Sequence, residues 1–95
     1  MGLLTPDEID LALAGMPGWE RIGDAIVRQF SLKGGFMGSI GFVNRLAGAA
    51  EAADHHPDLV IVWNRVTVTL STHSQGGITE KDIALAGQAD RLAAA

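Results

Sequence analysis

The 95-residue chain contains no cysteine. A disulfide framework, a thiolate nucleophile and a thiolate metal site are therefore all excluded, and the composition fits a reducing compartment, with the cytoplasm as the expected location. Basic residues are scarce as well. Seven Lys and Arg, scattered singly in a chain of net charge −4, leave no footprint for a phosphate backbone, so no direct nucleic-acid partner is expected. Long apolar runs are missing too: "FMGSIGFVNRLAGAA" is broken by Asn44 and Arg45 before membrane-spanning length, and "MGLLTPDEID" carries no positive leader. A soluble chain without membrane contact is expected. With no repeat, low-complexity tract or linker-like shift, the 47% of hydrophobic residues should build one core and one domain over residues 1–95.

What is present alternates between two periods. "TPDE" at 5 to 8 combines a Thr5 N-cap, Pro6 at the first helical position and Glu8 as the acid of a capping box. A short helix to about Gly15 is predicted, with Ile9, Ala12, Leu13 and Met16 inward. "WERIGDAIVRQFSL" reads as two strands around Gly23 and Asp24, with Ile26, Phe30 and Leu32 on one face and Arg28 intruding on it. From Gly35 the period becomes 3.6, predicting a main helix with Phe36, Ile40, Val43, Ala47 and Ala50 as its stripe and Phe42 and Leu46 beside it. Gly38, Gly41 and Gly48 each cost that helix roughly 1 kcal/mol, which implies close packing there. Pro57 should end it near His55. "LVIVWN" and "VTVTLST" then form a hairpin turning at Asn64 and Arg65, and "TEKD" starts a last helix. The expected fold is α+β, in the order α-β-β-α-β-β-α, with a four-stranded antiparallel sheet covered on one face by helices.

Two of the three histidines stand side by side in "EAADHHPD", residues 51 to 58. Glu51 and His55 are four apart, so on a helix they share a face and the carboxylate can orient the imidazole and favour its protonated form. His56, just past the helix, points elsewhere. His73 follows the last strand, whose hairpin partner begins just after His56, so the hairpin can bring all three to one end of the sheet. With an unperturbed pKa of about 6.5, histidine can both give and take protons near neutrality. Three of them together suggest acid and base chemistry. Against that stand the blander possibilities of a histidine complementing a helix dipole and a solvated neighbour. A zinc site is a weaker reading: adjacent histidines on a helix diverge by about 100° and the usual i, i+4 pair is absent, although His55, His56 and His73 could form a three-histidine set. Trp19 and Trp63 suit core or interface better than a ligand platform, and Gly76 and Gly77 suit a turn.

The run "EAADHHPDLVIVWNRVTVTLSTHSQGGITEKD", residues 51 to 82, resembles the signature of the pterin-4a-carbinolamine dehydratase family. Its D-H-H-P, its strand pair opening "N-x-V", its "T-H" and its "G-[IL]-[ST]-x-x-D" helix start occur in the family's order and separations. The middle helix and the Trp-containing first hairpin are also similar, so most of the chain is covered. Leu59 departs from the aromatic or isoleucine that many members carry, and the middle helix is unusually glycine-rich.

The resemblance implies a hydro-lyase that dehydrates 4a-hydroxytetrahydropterin to quinonoid dihydropterin, in tetrahydrobiopterin recycling for aromatic amino acid hydroxylases. No cofactor and no metal are implied, since the pterin is the substrate. By the same resemblance His55 and His73 are general acids on either side of the ring and His56 orients the substrate. Glu51 would hold His55 and stabilise charge developing on the pterin, while Asp54, Pro57, Thr72 and Asp82 line or support the pocket. A homodimer or homotetramer built through sheet edges and helix faces is also implied. The alternative is a non-catalytic interaction or assembly module on the same scaffold, which would have no need for all three histidines and Glu51.

Overall fold

In a computed structural model, which describes residues 2–94, the elements follow the expected order: α1 (Pro6–Ala14), β1 (Glu20–Ile22), β2 (Ala25–Ser31), α2 (Gly35–Ala53), β3 (Asp58–Val62), β4 (Arg65–Leu70) and α3 (Glu80–Ala94). A single 3-10 turn, His73–Gln75, lies between β4 and α3. The Thr5 capping box at α1 is complete: the Thr5 hydroxyl accepts from the Glu8 N–H and the Glu8 carboxylate accepts from the Thr5 N–H. Both hydrogen bonds satisfy donors that the first helical turn leaves without partners.

The four strands form one antiparallel sheet in the order β1-β2-β4-β3. Ile26, Phe30, Val66, Val68 and Leu70 project from its inner face and meet Phe42 and Leu46 of α2 and Leu85, Ala86 and Ala89 of α3, all buried. Each large apolar side chain so enclosed contributes roughly 1.5–3 kcal/mol relative to exposure. Phe30 lies 6.0 Å from the Trp19 ring, edge to face, and 5.0 Å from Phe42. Arg28 does share this face, as its alternation requires. Its guanidinium sits 4.4 Å above the Phe30 ring and donates to Asp90 of α3 at 2.7 Å, and the Trp19 indole N–H donates to the same oxygen at 2.9 Å. The charge is tolerated because it is paired at the rim of the core.

Two expectations shift. The buried stripe of α2 is Ser39, Phe42, Leu46 and Ala50, whereas Phe36 is 51% exposed and Ala47 is exposed, so the helix is rotated from the predicted face. Ser39 can be buried because its hydroxyl donates to the Trp63 carbonyl. Trp63 itself is 65% exposed and occupies, with Asn64, the turn between β3 and β4, one residue earlier than predicted. Its φ of 49° is a left-handed conformation that bulky residues rarely adopt. Trp19, by contrast, is a core residue as expected.

Of the glycines in α2, Gly38 has a steric reason to be there: a Cβ would stand 1.9 Å from the Lys33 carbonyl oxygen, whereas at Gly48 it would meet nothing within 4 Å. Gly38→Ala should therefore lose stability by at least the roughly 1–3 kcal/mol typical of overpacking, and Gly48→Ala should gain up to about 1 kcal/mol from helix propensity. Midpoints of urea denaturation for the two variants check both signs.

Candidate active site

The end of α2 decides where the paired histidines go. Asp54 adopts φ 49°, ψ 45°; its N–H donates to the Ala50 and Glu51 carbonyls, and the His55 N–H reaches back to Ala50 at 3.1 Å. This is a Schellman-type ending, with aspartate in the left-handed position that glycine usually fills. The helix accordingly stops at Ala53, two residues earlier than predicted, and His55 already lies beyond it. The left-handed residue redirects the chain so that His55 turns inward, with 8% exposure, while His56 stays exposed and Pro57 leads into β3.

His55 does not pair with Glu51. Its Nε2 lies 2.6 Å from Asp82 Oδ1 in α3, and Glu51 Oε1 instead lies 2.6 Å from His56 Nε2. The i, i+4 expectation fails because it assumes helical geometry at His55, and the backbone has left the helix at Asp54. The two pairs differ in setting. His56 and Glu51 have side chains 57% and 79% exposed, whereas His55 and Asp82 are 9% and 0% exposed.

Asp82 is the hub of a buried network. Its Oδ2 accepts from the Thr72 hydroxyl at 2.8 Å and from the Thr79 N–H at 2.9 Å, and the Thr72 and Thr79 hydroxyls are 2.7 Å apart. Among the described residues no buried side-chain nitrogen or oxygen lacks a hydrogen-bond partner. Since Nε2 of His55 is engaged, Nδ1 is its ring nitrogen outside the network.

Sheet register explains the meeting. Asp58 pairs with Thr69, so the residues just before β3 run alongside those just after β4. Thr72 closes a small loop with Gly77, its N–H donating to the Gly77 carbonyl at 2.7 Å, and His73, Ser74 and Gln75 are displayed on that loop, all exposed. His73 is one peptide from Thr72, about 3.8 Å between Cα atoms, and no hydrogen bond joins it to the other histidines. Thus Thr72, Asp82 and His55 are brought into contact, His56 and Glu51 pair beside them, and His73 stands at the same end through the chain. Asp54 and Pro57 flank the histidine pair, Asp54 exposed and Pro57 half-buried. Thr79 is the residue that sequence reasoning missed: "TEKD" was legible as a helix start, but not as part of the histidine's support.

A cavity of about 40 Å³ lined by Thr72, Ser74, Gln75, Thr79 and Lys81 adjoins this network. Two larger hollows lie at the other end of the sheet, about 490 Å³ beside Arg45 and about 440 Å³ beside the Arg28–Asp90 pair, and neither has a histidine in its lining. Volume would favour those hollows. The histidine end is preferred because proton-transfer groups gather there, with one of them rigidly held. No three His, Asp or Glu side chains among the described residues are grouped as metal ligands.

Removing a partner from a buried charged network typically costs about 3–5 kcal/mol, whereas exposed pairs contribute about 0–1 kcal/mol. Asp82→Ala should therefore cost a large part of a small domain's stability and Glu51→Ala almost none. Chemical denaturation of the two variants tests this difference.

Comparison with known proteins gives these residues a lineage. The family model for pterin 4 alpha carbinolamine dehydratase matches residues 2–92. The chain is 56% identical over 90 residues to a protein of Thermosynechococcus vestitus named as a candidate pterin-4-alpha-carbinolamine dehydratase, covering 95% of this chain and 94% of that one. A likewise named protein of Mycobacteroides abscessus is 53% identical, with 95% of each chain covered. Among solved structures, a transcriptional coactivator/pterin dehydratase from Brucella melitensis superposes with a TM-score of 0.92 at 40% identity, over 97% of this chain and 99% of that one. A pterin dehydratase-like RuBisCO assembly factor of the alpha-carboxysome shares the fold alone, with a TM-score of 0.65 at 22% identity over 79% and 86%. The chain belongs to the pterin 4 alpha carbinolamine dehydratase family.

Proposed function

We propose that this protein dehydrates 4a-hydroxytetrahydropterin to quinonoid dihydropterin by histidine acid and base catalysis, as a cytoplasmic enzyme of tetrahydropterin recycling. The observation that carries the reading is the gathering of the network of His55, Asp82, Thr72 and Thr79, the His56–Glu51 pair and exposed His73 at one end of the sheet, in a chain of this family.

The reaction breaks the C4a–O bond, releases water and forms the C4a=N5 double bond as the N5 proton leaves. An imidazole holding both protons donates one to the departing oxygen, and a neutral imidazole accepts the proton from N5. His55 and His73 are the two groups assigned to this transfer, on opposite sides of the ring. Asp82 holds His55 so that Nδ1 is the nitrogen offered to the substrate, and its carboxylate stands opposite the charge the ring carries when doubly protonated. His56, held by Glu51, orients the pterin, and Glu51 faces the positive charge that develops as the hydroxyl leaves. Asp54 and Pro57 set the path of the chain around the pair, and Thr72 with Asp82 supports it from below. Loss of water changes no oxidation state, so this step needs no redox cofactor, and the roles given to the histidines and Glu51 include no metal.

One observation favours a second reading, an interaction module on the same scaffold. Phe36, Met37, Val60, Val62 and Trp63 are all more than half exposed, a larger apolar display than catalysis requires. The homodimer or homotetramer implied by the family resemblance would cover part of it.

Freshly generated 4a-hydroxytetrahydropterin, followed by ultraviolet absorbance, separates the two readings. The wild-type protein should accelerate its decay with or without chelator, and a folded His56→Ala, His73→Ala double variant should lose at least about 100-fold, the lower range for a positioned acid or base. A folded wild-type protein that gives no acceleration would leave the interaction module standing.

A further inference from the structure

The directions of the hydrogen bonds around Asp82 can be fixed one by one. The Thr72 hydroxyl has a single proton and donates it to Asp82 Oδ2. In the 2.7 Å contact between the two hydroxyls, Thr72 must therefore accept and Thr79 must donate. The Thr79 oxygen in turn accepts from the Lys81 N–H at 3.3 Å, and the Thr79 N–H donates directly to Asp82 Oδ2. A one-way chain results, from the Lys81 amide through two hydroxyls to the carboxylate that holds His55. Thr79 is 1% exposed and sits immediately before α3, and its hydroxyl is engaged with Thr72 and the Lys81 N–H, so it acts on the site through its neighbours.

We propose that Thr79 is a positioning residue for His55: the residues that start α3 also lock the orientation of Asp82, and through it the Nε2–H tautomer of His55. Without the Thr79 hydroxyl, Thr72 loses the donor that directs its own proton to Asp82, and can turn that proton elsewhere. Oδ2 then keeps only the Thr79 amide as a certain partner. The carboxylate is then less firmly oriented toward His55, and the ring it holds no longer keeps a single tautomer. The catalytic half of this inference rests on the pterin-dehydration reading; the structural half does not.

The test pairs Thr79→Val, which removes the hydroxyl with little change in shape, with Thr79→Ser, which restores it. Long-range nitrogen–proton correlation spectra of the imidazoles, taken without substrate at a pH where the rings are neutral, read the His55 tautomer. The wild-type protein and Thr79→Ser should show the Nε2–H form alone, and Thr79→Val a mixture. In the dehydration assay Thr79→Val should lower kcat about 10-fold, as loss of an orienting partner does, with KM unchanged and Thr79→Ser restoring the rate. A lower denaturation midpoint alone is what any lost buried hydroxyl produces and does not decide the matter. Should Thr79→Val fail to fold, an Nδ1–H tautomer at His55 in the wild-type protein overturns the proposal by itself. So does a folded Thr79→Val with the wild-type tautomer and kcat. A wild-type protein with no dehydration activity sinks the pterin reading instead, and the tautomer spectra still decide whether Thr79 orders the ring.

Discussion

One buried carboxylate ties the histidine end of the sheet together. Asp82 has no exposed surface and accepts hydrogen bonds from Thr72, after β4, and from the Thr79 amide, at the start of α3, while His55, after α2, sits on its other oxygen. Three separate stretches of chain meet on two oxygen atoms. An ionisable group so enclosed is tolerated only when its hydrogen-bonding capacity is met, and here every bond also fixes the place of a segment. The coincidence of a helix capping residue with a histidine's support is economical in a domain this small. It also means that stability and site geometry cannot be varied independently at Asp82.

The adjacent histidines acquire separate roles from a single backbone conformation. Left-handed Asp54 ends α2 and sends His55 into the core, while His56 remains outside against Glu51. On the proposed reading, a flat heterocycle would meet one rigid imidazole and one adaptable one. The Thr72–Gly77 loop adds His73 at the same end, carried on a 3-10 turn whose last residue is followed by Gly76 at φ 74°. The site thus draws on a helix end, a strand end and a loop rather than on any one element.

Much of this was legible in the sequence, for identifiable reasons. The element order followed from period changes and cap signals, and the approach of the stretch before β3 to the stretch after β4 followed from the hairpin register, both of which are local rules acting at fixed spacing. Three things were not legible. Asp54 is not glycine, so nothing marked the left-handed position that cancels the Glu51–His55 spacing. The face of α2 was ambiguous because small residues occupy several sides; the deciding contacts, Gly38 against Lys33 and Ser39 against Trp63, depend on neighbours placed by the tertiary fold. Thr79 looked like a cap and nothing more, since its second bond, to Thr72, spans seven residues across two elements.

The central claim is that the histidine end binds a pterin, and the most direct measurement is a titration of nitrogen-labelled protein with a dihydropterin, which cannot itself undergo the dehydration. The account predicts amide shifts at His55, His56 and the Thr72–Gly76 loop, with the Trp63 turn and the hollow beside Arg45 unmoved. Shifts confined to Phe36, Met37 and Trp63, or none at millimolar ligand, would contradict it.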